Sequence, residues 1–468
     1  MSCSYIAETE QKILVSSEDE SFSEKDIKCK DSDRNESSLN CDSESKSRKT
    51  SMNSESSVIS VNNSKSLNES LIGLNISDNE SIKEFIKISN GFGLKLYRFM
   101  SSMFPNFIFS PISISVMLTL LLRASSGNSH NELCSTLSLN SSTLNMTKLQ
   151  NSVQQTLEYL RNPMKTMNGI ELEANNGILL RDGTKIITNF LHDSNSYFGA
   201  KVKGINFKLG FKTSQEKITK WIEDNTKSRL ITNRINFESI KVDTNIIILS
   251  DLYFNVITNF ANSLLIEKDF YAFGSHPINT EFYQRAENHN ITSSRFFNST
   301  ILEMILNTDG SHKRFSMIII LPNSNQSLDS VEQLIVDNND QFLTEISNMT
   351  SRFVNVMLPN ELTQPGIWRL DRILPHIGIK GIFQPETSLL TKISSFESLY
   401  VNRIYHESFF GFKPLNNNVF HGSKNTVSVG NTKQVAVESD FIANRPFIYM
   451  IIERKSSAII LMAKINFI

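Results

Sequence analysis

The residues that could do chemistry are few and scattered. None of the eight histidines belongs to an H-E-x-x-H metal motif. No C-x-x-C pair is present, and no G-x-S-x-G sets a nucleophilic serine on a sharp turn. Eighteen glycines in 468 residues include no Gly-rich phosphate loop. His276 and His289 stand among polar residues and read as loop histidines without a role. His406 is the exception. It opens HESFFGFKPLNNNVFHGSKNTV, which begins as a β-strand with Phe409, Phe410 and Phe412. The stretch then breaks at Lys413-Pro414 into three asparagines. It is either an ordinary surface loop or a strand with a second place to go. With nothing clustered as a triad or a metal site, the chain is not expected to be an enzyme or to need a cofactor or metal.

Something must position that stretch, and the composition narrows what. The chain has 39% hydrophobic residues and a formal net charge of −1. A nucleic-acid binder shows a basic face in bulk composition, so that class is excluded. Residues 1–80 differ from the rest: SSEDESFSEKDIKCKDSDRNESS and CDSESKSRKTSMNSESS are rich in Ser, Asp, Glu, Asn and Lys. Their sparse apolar residues show no period, and such a segment cannot bury enough surface to offset its ordering entropy. It is expected to be a disordered tail, with Ser17 and Ser37 beside acidic residues as candidates for phosphorylation. MSCSYIAETEQKILVSSEDE has neither the basic start nor the apolar run of a signal peptide. No apolar run reaches the roughly 18 residues of a membrane span. Cys3, Cys29 and Cys41 fall in the tail and only Cys134 in the body, so no internal disulfide is expected. Together these favour a reducing, cytoplasmic compartment and no membrane partner.

From 81 to 468 the pattern is globular, with no linker, and reads as one domain. SIKEFIKISNGFGLKLYRFMSSM has the spacing of an amphipathic helix. SPISISVMLTLLLRASSG is helical and apolar nearly all round, which predicts a buried helix. ITKWIEDNTKSRL is a further helix. DLYFNVI, RFSMIIILP, RFVNVMLP, RPFIYMIIE and SAIILMAKINFI are short β-branched and aromatic runs bounded by turn residues. Helices lead and long strands follow, an α+β pattern with large antiparallel sheets.

Several segments resemble those of one family, the serpins, and they keep its order. NFIFSPISISVMLTLLLRASSGNS resembles the N-terminal serpin signature at Asn106, Phe109, Ser110, Pro111, Ser113 and Gly127. ANNGILL, with Ala174 and Asn175, is similar to the start of the second strand of the large sheet. NFLHDSNSYFGAKVKGINF follows the usual run ending in Tyr, Ala, Val and Phe. ITKWIEDNTKSRL resembles the Trp-containing helix at Ile218, Trp221 and Thr226. WRLDRILPHIGIKGIF matches at Leu370, Leu374, Gly378 and Phe383. LYVNRIYHESFF supplies the family's histidine as His406, and NRPFIYMIIERKSSAIILMAKI resembles the closing segment from Asn444 to Ile465.

The resemblance implies the serpin fold: three β-sheets, about nine helices and an exposed reactive-centre loop between His406 and Asn444. It implies a monomeric inhibitor of a serine protease, or of a cysteine protease. The protease cuts the loop, and the loop's first half then enters the large sheet as a new strand. The alternative is a non-inhibitory serpin acting as a binding or chaperone-like module. Many serpins work in the extracellular space, which is the alternative location. A polar cluster under the sheet controls its opening in the family, and Ser110, Ser113 and His406 fit it, with Ser250 where an asparagine is usual. Thr258 stands where a tryptophan is usual, and Ala463 where a glycine is.

The loop departs further. Counted from His406, the hinge would begin at Pro414 and turn Asn417, Val419, His421 and Ser423 inward. A buried Asn or His without a partner costs on the order of 1–3 kcal/mol. His406 to Pro446 spans 40 residues (446 − 406), longer than usual. Counted back from Pro446, the hinge falls on Gly422, Ser423, Lys424, Asn425 and Thr426, with Lys424 the flaw on an otherwise small face. The cut then falls between Gly430 and Val435. Lys433 is the only charged residue of GNTKQV, which points to cleavage at Lys433–Gln434 by a trypsin-like enzyme. Val429 or Val435 would instead suit an elastase-like one.

Overall fold

The structure, a computed structural model, describes residues 79–161, 169–209, 211–225, 240–258, 264–306, 313–362, 366–414, 420–421 and 437–468. All fall within one unit, Asn63–Ile468. Helix α1 (Glu80–Met103) starts where the Ile82 N–H donates to the side chain of Asn79 at 3.3 Å, with Glu80 favourably placed in the first turn. Its buried face carries Ile82, Phe85, Ile86, Ser89, Phe92 and Leu96 at helical spacing. After β1 (Phe107–Phe109), Ser110 caps α2 (Pro111–Ala124) by accepting from the Ser113 N–H at 3.2 Å, and Pro111 takes the first turn, where no donor is needed. Helix α2 is buried along nearly its whole length. It packs against both sheets, which is why its sequence is apolar all round.

The chain continues through α3 (Gly127–Thr136), α4 (Met146–Arg161), β2 (Ile170–Arg181), α5 (Thr188–Ser196), β3 (Ala200–Ile205), α6 (Phe211–Asn225) and β4 (Ile246–Thr258). Then come β5 (Leu264–Ala272), β6 (His276–Ser294), β7 (Ser299–Leu306), β8 (Phe315–Pro322), α7 (Leu328–Asp337), α8 (Asn339–Ser347) and β9 (Thr350–Pro359). The last elements are β10 (Gly366–Arg369), α9 (Leu370–Ile373), β11 (Val401–Pro414), β12 (Phe420–His421), β13 (Ser439–Ile442), β14 (Phe447–Glu453) and β15 (Ala458–Ile465). The described residues thus hold nine α-helices, in line with the expected α+β fold.

Five strands form one sheet in the order β10-β11-β4-β2-β3. It is mixed rather than antiparallel: β11 pairs with β4, and β2 with β3, in parallel. Alternation of apolar residues fixes a strand but carries no direction, so the antiparallel expectation had no means of seeing this. The other strands form a ten-stranded array. Two of the three expected sheets are joined in it through β6, which pairs with β5 and β9 along its first part and with β7 at its end. His276 and His289 both lie on β6 rather than in loops. His289 is buried beside Glu287, and burial pushes its imidazole down to about 4. Gly177 on β2 has a specific reason to be glycine, since a β-carbon there would collide with the ring of Trp221 on α6. No helix among the described residues is long and apolar enough to cross a membrane.

Candidate functional site

The five-stranded sheet has a seam at its centre, where β11 and β4 lie side by side and parallel. Arg403 stands opposite Ile247 and Pro414 opposite Thr258, with one irregularity between Val401 and Arg403. Both strands stop at the same end, where the chain leaves β11. A chain that turned back at Pro414 would run antiparallel to both strands and could complete a hydrogen-bond ladder on each side. Pro414 has no N–H to give, which the end of a strand tolerates. The hinge candidates Gly422, Ser423, Lys424, Asn425 and Thr426 and the scissile pair Lys433–Gln434 lie outside the described residues.

Ser110, Ser113, Ser250 and His406 meet on the side of the seam that faces α2. His406 and Ser250 are paired across the seam, and all four residues are buried. Burial pushes the His406 imidazole down to about 3, with a hydrogen bond from the ring to the Ser250 backbone working the other way. The ring is therefore neutral, with one acceptor nitrogen and one donor. Nε2 accepts from the Ser110 backbone N–H at 3.1 Å and from the Ser408 hydroxyl at 2.9 Å. That assigns the proton to Nδ1, which donates to Ser250 Oγ at 3.3 Å. Ser250 Oγ lies 2.8 Å from Ser113 Oγ, and the Ser113 hydroxyl reaches the Asp251 carbonyl at 3.4 Å. Serine is shorter than asparagine, yet it closes the chain from α2 to both strands. The arrangement suits mechanics more than catalysis: parting β4 from β11 must break the link between His406 and Ser250.

Towards Pro414 the seam is held by rings. Tyr253 of β4 and Phe409 of β11 stack at 5.0 Å and 7° on one face, and Phe254 and Phe410 lie 6.1 Å apart on the other. Phe410 also contacts Tyr449, and Phe412 contacts Tyr283. Gly411 sits opposite Asn255, whose side chain occupies the space a β-carbon would need. Two features escaped the sequence. Ser408 is a partner of His406, a link visible in principle because residues two apart on a strand share a face. Asp251 and Glu407 are buried on the seam, although acids in a strand ordinarily signal the solvent side.

The family described as Serpin (serine protease inhibitor) matches residues 87–467. Alpha-1-antiproteinase 2 of Equus caballus is 24% identical over 382 residues, spanning 80% of this chain and 85% of the horse protein. Antitrypsin of Bombyx mori is 22% identical over 344 residues, spanning 73% of this chain and 83% of the silkworm protein. Among solved structures, the Manduca sexta serine protease inhibitor (serpin)-12 aligns with a TM-score of 0.68 at 16% identity, covering 81% of this chain and 98% of that one. With the family matched over most of the chain and the fold shared over the same span, the protein belongs to the serpin family.

Proposed function

We propose that this serpin traps a trypsin-like serine protease by cleavage and insertion of its reactive loop. Serpins are protease inhibitors rather than catalysts, so the chain is not an enzyme and its partner is a protease. The observation that carries the trapping mechanism is the seam: two parallel strands, hydrogen-bonded directly to one another, with the loop leaving from their shared end. The protease serine attacks the Lys433 carbonyl, Gln434 leaves as the new amino terminus, and an ester joins Lys433 to the enzyme. The hinge Gly422–Thr426 then enters between β11 and β4. Ser110, Ser113, Ser250 and His406 act as the shutter that resists this opening. Insertion restores the broken ladder and adds a second one, so the inserted state is the more stable. The relative named antitrypsin supports a serine-class target. A cytoplasmic setting fits the free, buried thiol of Cys134.

Incubation with trypsin followed by intact-mass analysis tests the mechanism. The expected results are a detergent-resistant complex, a released fragment starting at Gln434 and a sharp rise in melting temperature of nicked protein. Turnover at Lys433 with no complex and no gain in melting temperature overturns it. The functional module is taken to run over residues 81–468, so removing residues 1–78 should leave the melting temperature unchanged. A non-inhibitory binding role is the second reading, and the ring pairs Tyr253–Phe409 and Phe254–Phe410 favour it, because insertion must pull both apart.

A further inference from the structure

One residue beyond the Ser250–His406 pair, the seam carries two acids. Asp251 and Glu407 are paired across it. Strand alternation turns them to the face opposite Ser250 and His406, and they are only 2% and 0% exposed. Parallel neighbours lie about 4.8 Å apart, and charges so close repel strongly where water is excluded. Asp251 lines a small cavity with Asn175 and Gly177 of β2, Lys201 of β3, and Trp221 and Asn225 of α6. Among the described residues, the charged groups on this face include Glu407 and Arg403 from β11, Arg369 from β10 (paired with Asp371), Glu173 from β2, with Arg161 of α4 acting on it, and Lys201 from β3; α6 brings none to the cavity. Lys201 is engaged with Asn225 Oδ1 at 2.7 Å. Burial, then Glu407, hold the Asp251 carboxyl well above the usual carboxylate range, with Glu173 adding to the effect and Asn175 opposing it.

We propose that Asp251 and Glu407 form a proton-controlled latch on the seam. While Asp251 is neutral, β4 and β11 sit together. When it ionises, repulsion from Glu407 loosens the two strands and favours the entry of a third between them. An inserted strand doubles the separation to about 9.6 Å, which relieves the repulsion. The consequence for the loop rests on the trapping mechanism proposed above, whereas the latch is a property of the uncut protein.

Hydrogen exchange on the intact full chain tests it. Amides of Ile246–Thr258 and Val401–Pro414 are followed from about pH 5 to about pH 9, corrected for intrinsic exchange, with the β14–β15 ladder as internal reference. Seam protection in the wild type should fall about tenfold relative to that reference as pH rises, the change expected for roughly one pKa unit of interaction. In Asp251→Asn and in Glu407→Gln it should stay flat, and either variant alone suffices if the other fails to fold. The same pH dependence in wild type and variants overturns the latch. Nicked protein is melted in parallel: no gain in melting temperature removes the trapping mechanism and leaves the latch, while a gain with a flat seam removes the latch alone.

Discussion

Ser250 and His406 face α2 across the seam, and Asp251 and Glu407, one residue further along, face the other way. Both rows are buried. The inner row is neutral, and both nitrogens of its ring have partners. The outer row sets two acids side by side. Their responses to pH have opposite signs. His406 titrates near 6.5 when unfolded and at about 3 in the fold. Between these values the unfolded chain binds more protons, so the stability from His406, full above its unfolded value, is lost as pH falls through that window. The Asp251 carboxyl is raised on folding. Its contribution is full below its unfolded value and is lost as pH rises through the folded one. One row fails in acid and the other towards base, so the seam holds best between them. Each face of the seam therefore carries its own pH response.

The largest effect should come from His406→Ala. It leaves the Ser110 N–H and the Ser408 hydroxyl without their partner, leaves Ser250 only its bond to Ser113, and opens a cavity, for a loss of about 3–5 kcal/mol in chemical denaturation. The variant should also lose the acid-side slope, which for a shift from 6.5 to about 3 amounts to at most about 5 kcal/mol. An unchanged slope between about pH 7 and about pH 4 would mean that the inner row does not govern the acid response. Next comes Phe409→Ala on the outer face. It removes the stack with Tyr253 for about 1–2 kcal/mol, since an aromatic pair adds only modestly to burial. Insertion after nicking should then be faster. A loss as large as that of His406→Ala would show that the two faces carry equal weight.

How much of this was legible differs between the rows. The strand bearing His406 was plain from its cluster of aromatics, and the inner row followed from the resemblance, because Ser110, Ser113 and His406 keep the family's residue types and only Ser250 departs from them. The pairing of β11 with β4 was not legible, since Val401 and Ile246 meet only after more than a hundred residues of intervening chain. The outer row was missed for a different reason. An acid in a strand reads as solvent-facing, and only tertiary structure puts α6 over the cavity that Asp251 lines. Asn175 and Gly177 lie on β2 and Trp221 on α6, and their convergence on Asp251 depends on which strand lies next to which. The loop departs from its family where composition is the only guide, and its register stayed open between Pro414 and Gly422.

The smallest effect separates the two sides of the histidine. Ser408→Ala removes one of two donors to Nε2, and the Ser110 N–H remains at 3.1 Å. The ring keeps an acceptor for its proton and a donor to its lone pair, so the loss should be about 0.5–1 kcal/mol, the net worth of one hydrogen bond. Ser250→Ala removes the hydroxyl at Nδ1–H and its bridge to Ser113, leaving only the Ser250 backbone to hold that side of the ring. Losing a buried hydrogen-bond partner costs about 1–3 kcal/mol, and the seam loses its side-chain link between strands. The acid-side slope should survive in Ser408→Ala, because the imidazole remains buried and neutral. The order of the two losses therefore reports the tautomer. If Ser408→Ala proved the costlier, the proton would sit on Nε2 with Ser408 accepting it. His406 would then be tied along its own strand rather than across the seam, and the inner row would no longer be what holds β4 to β11.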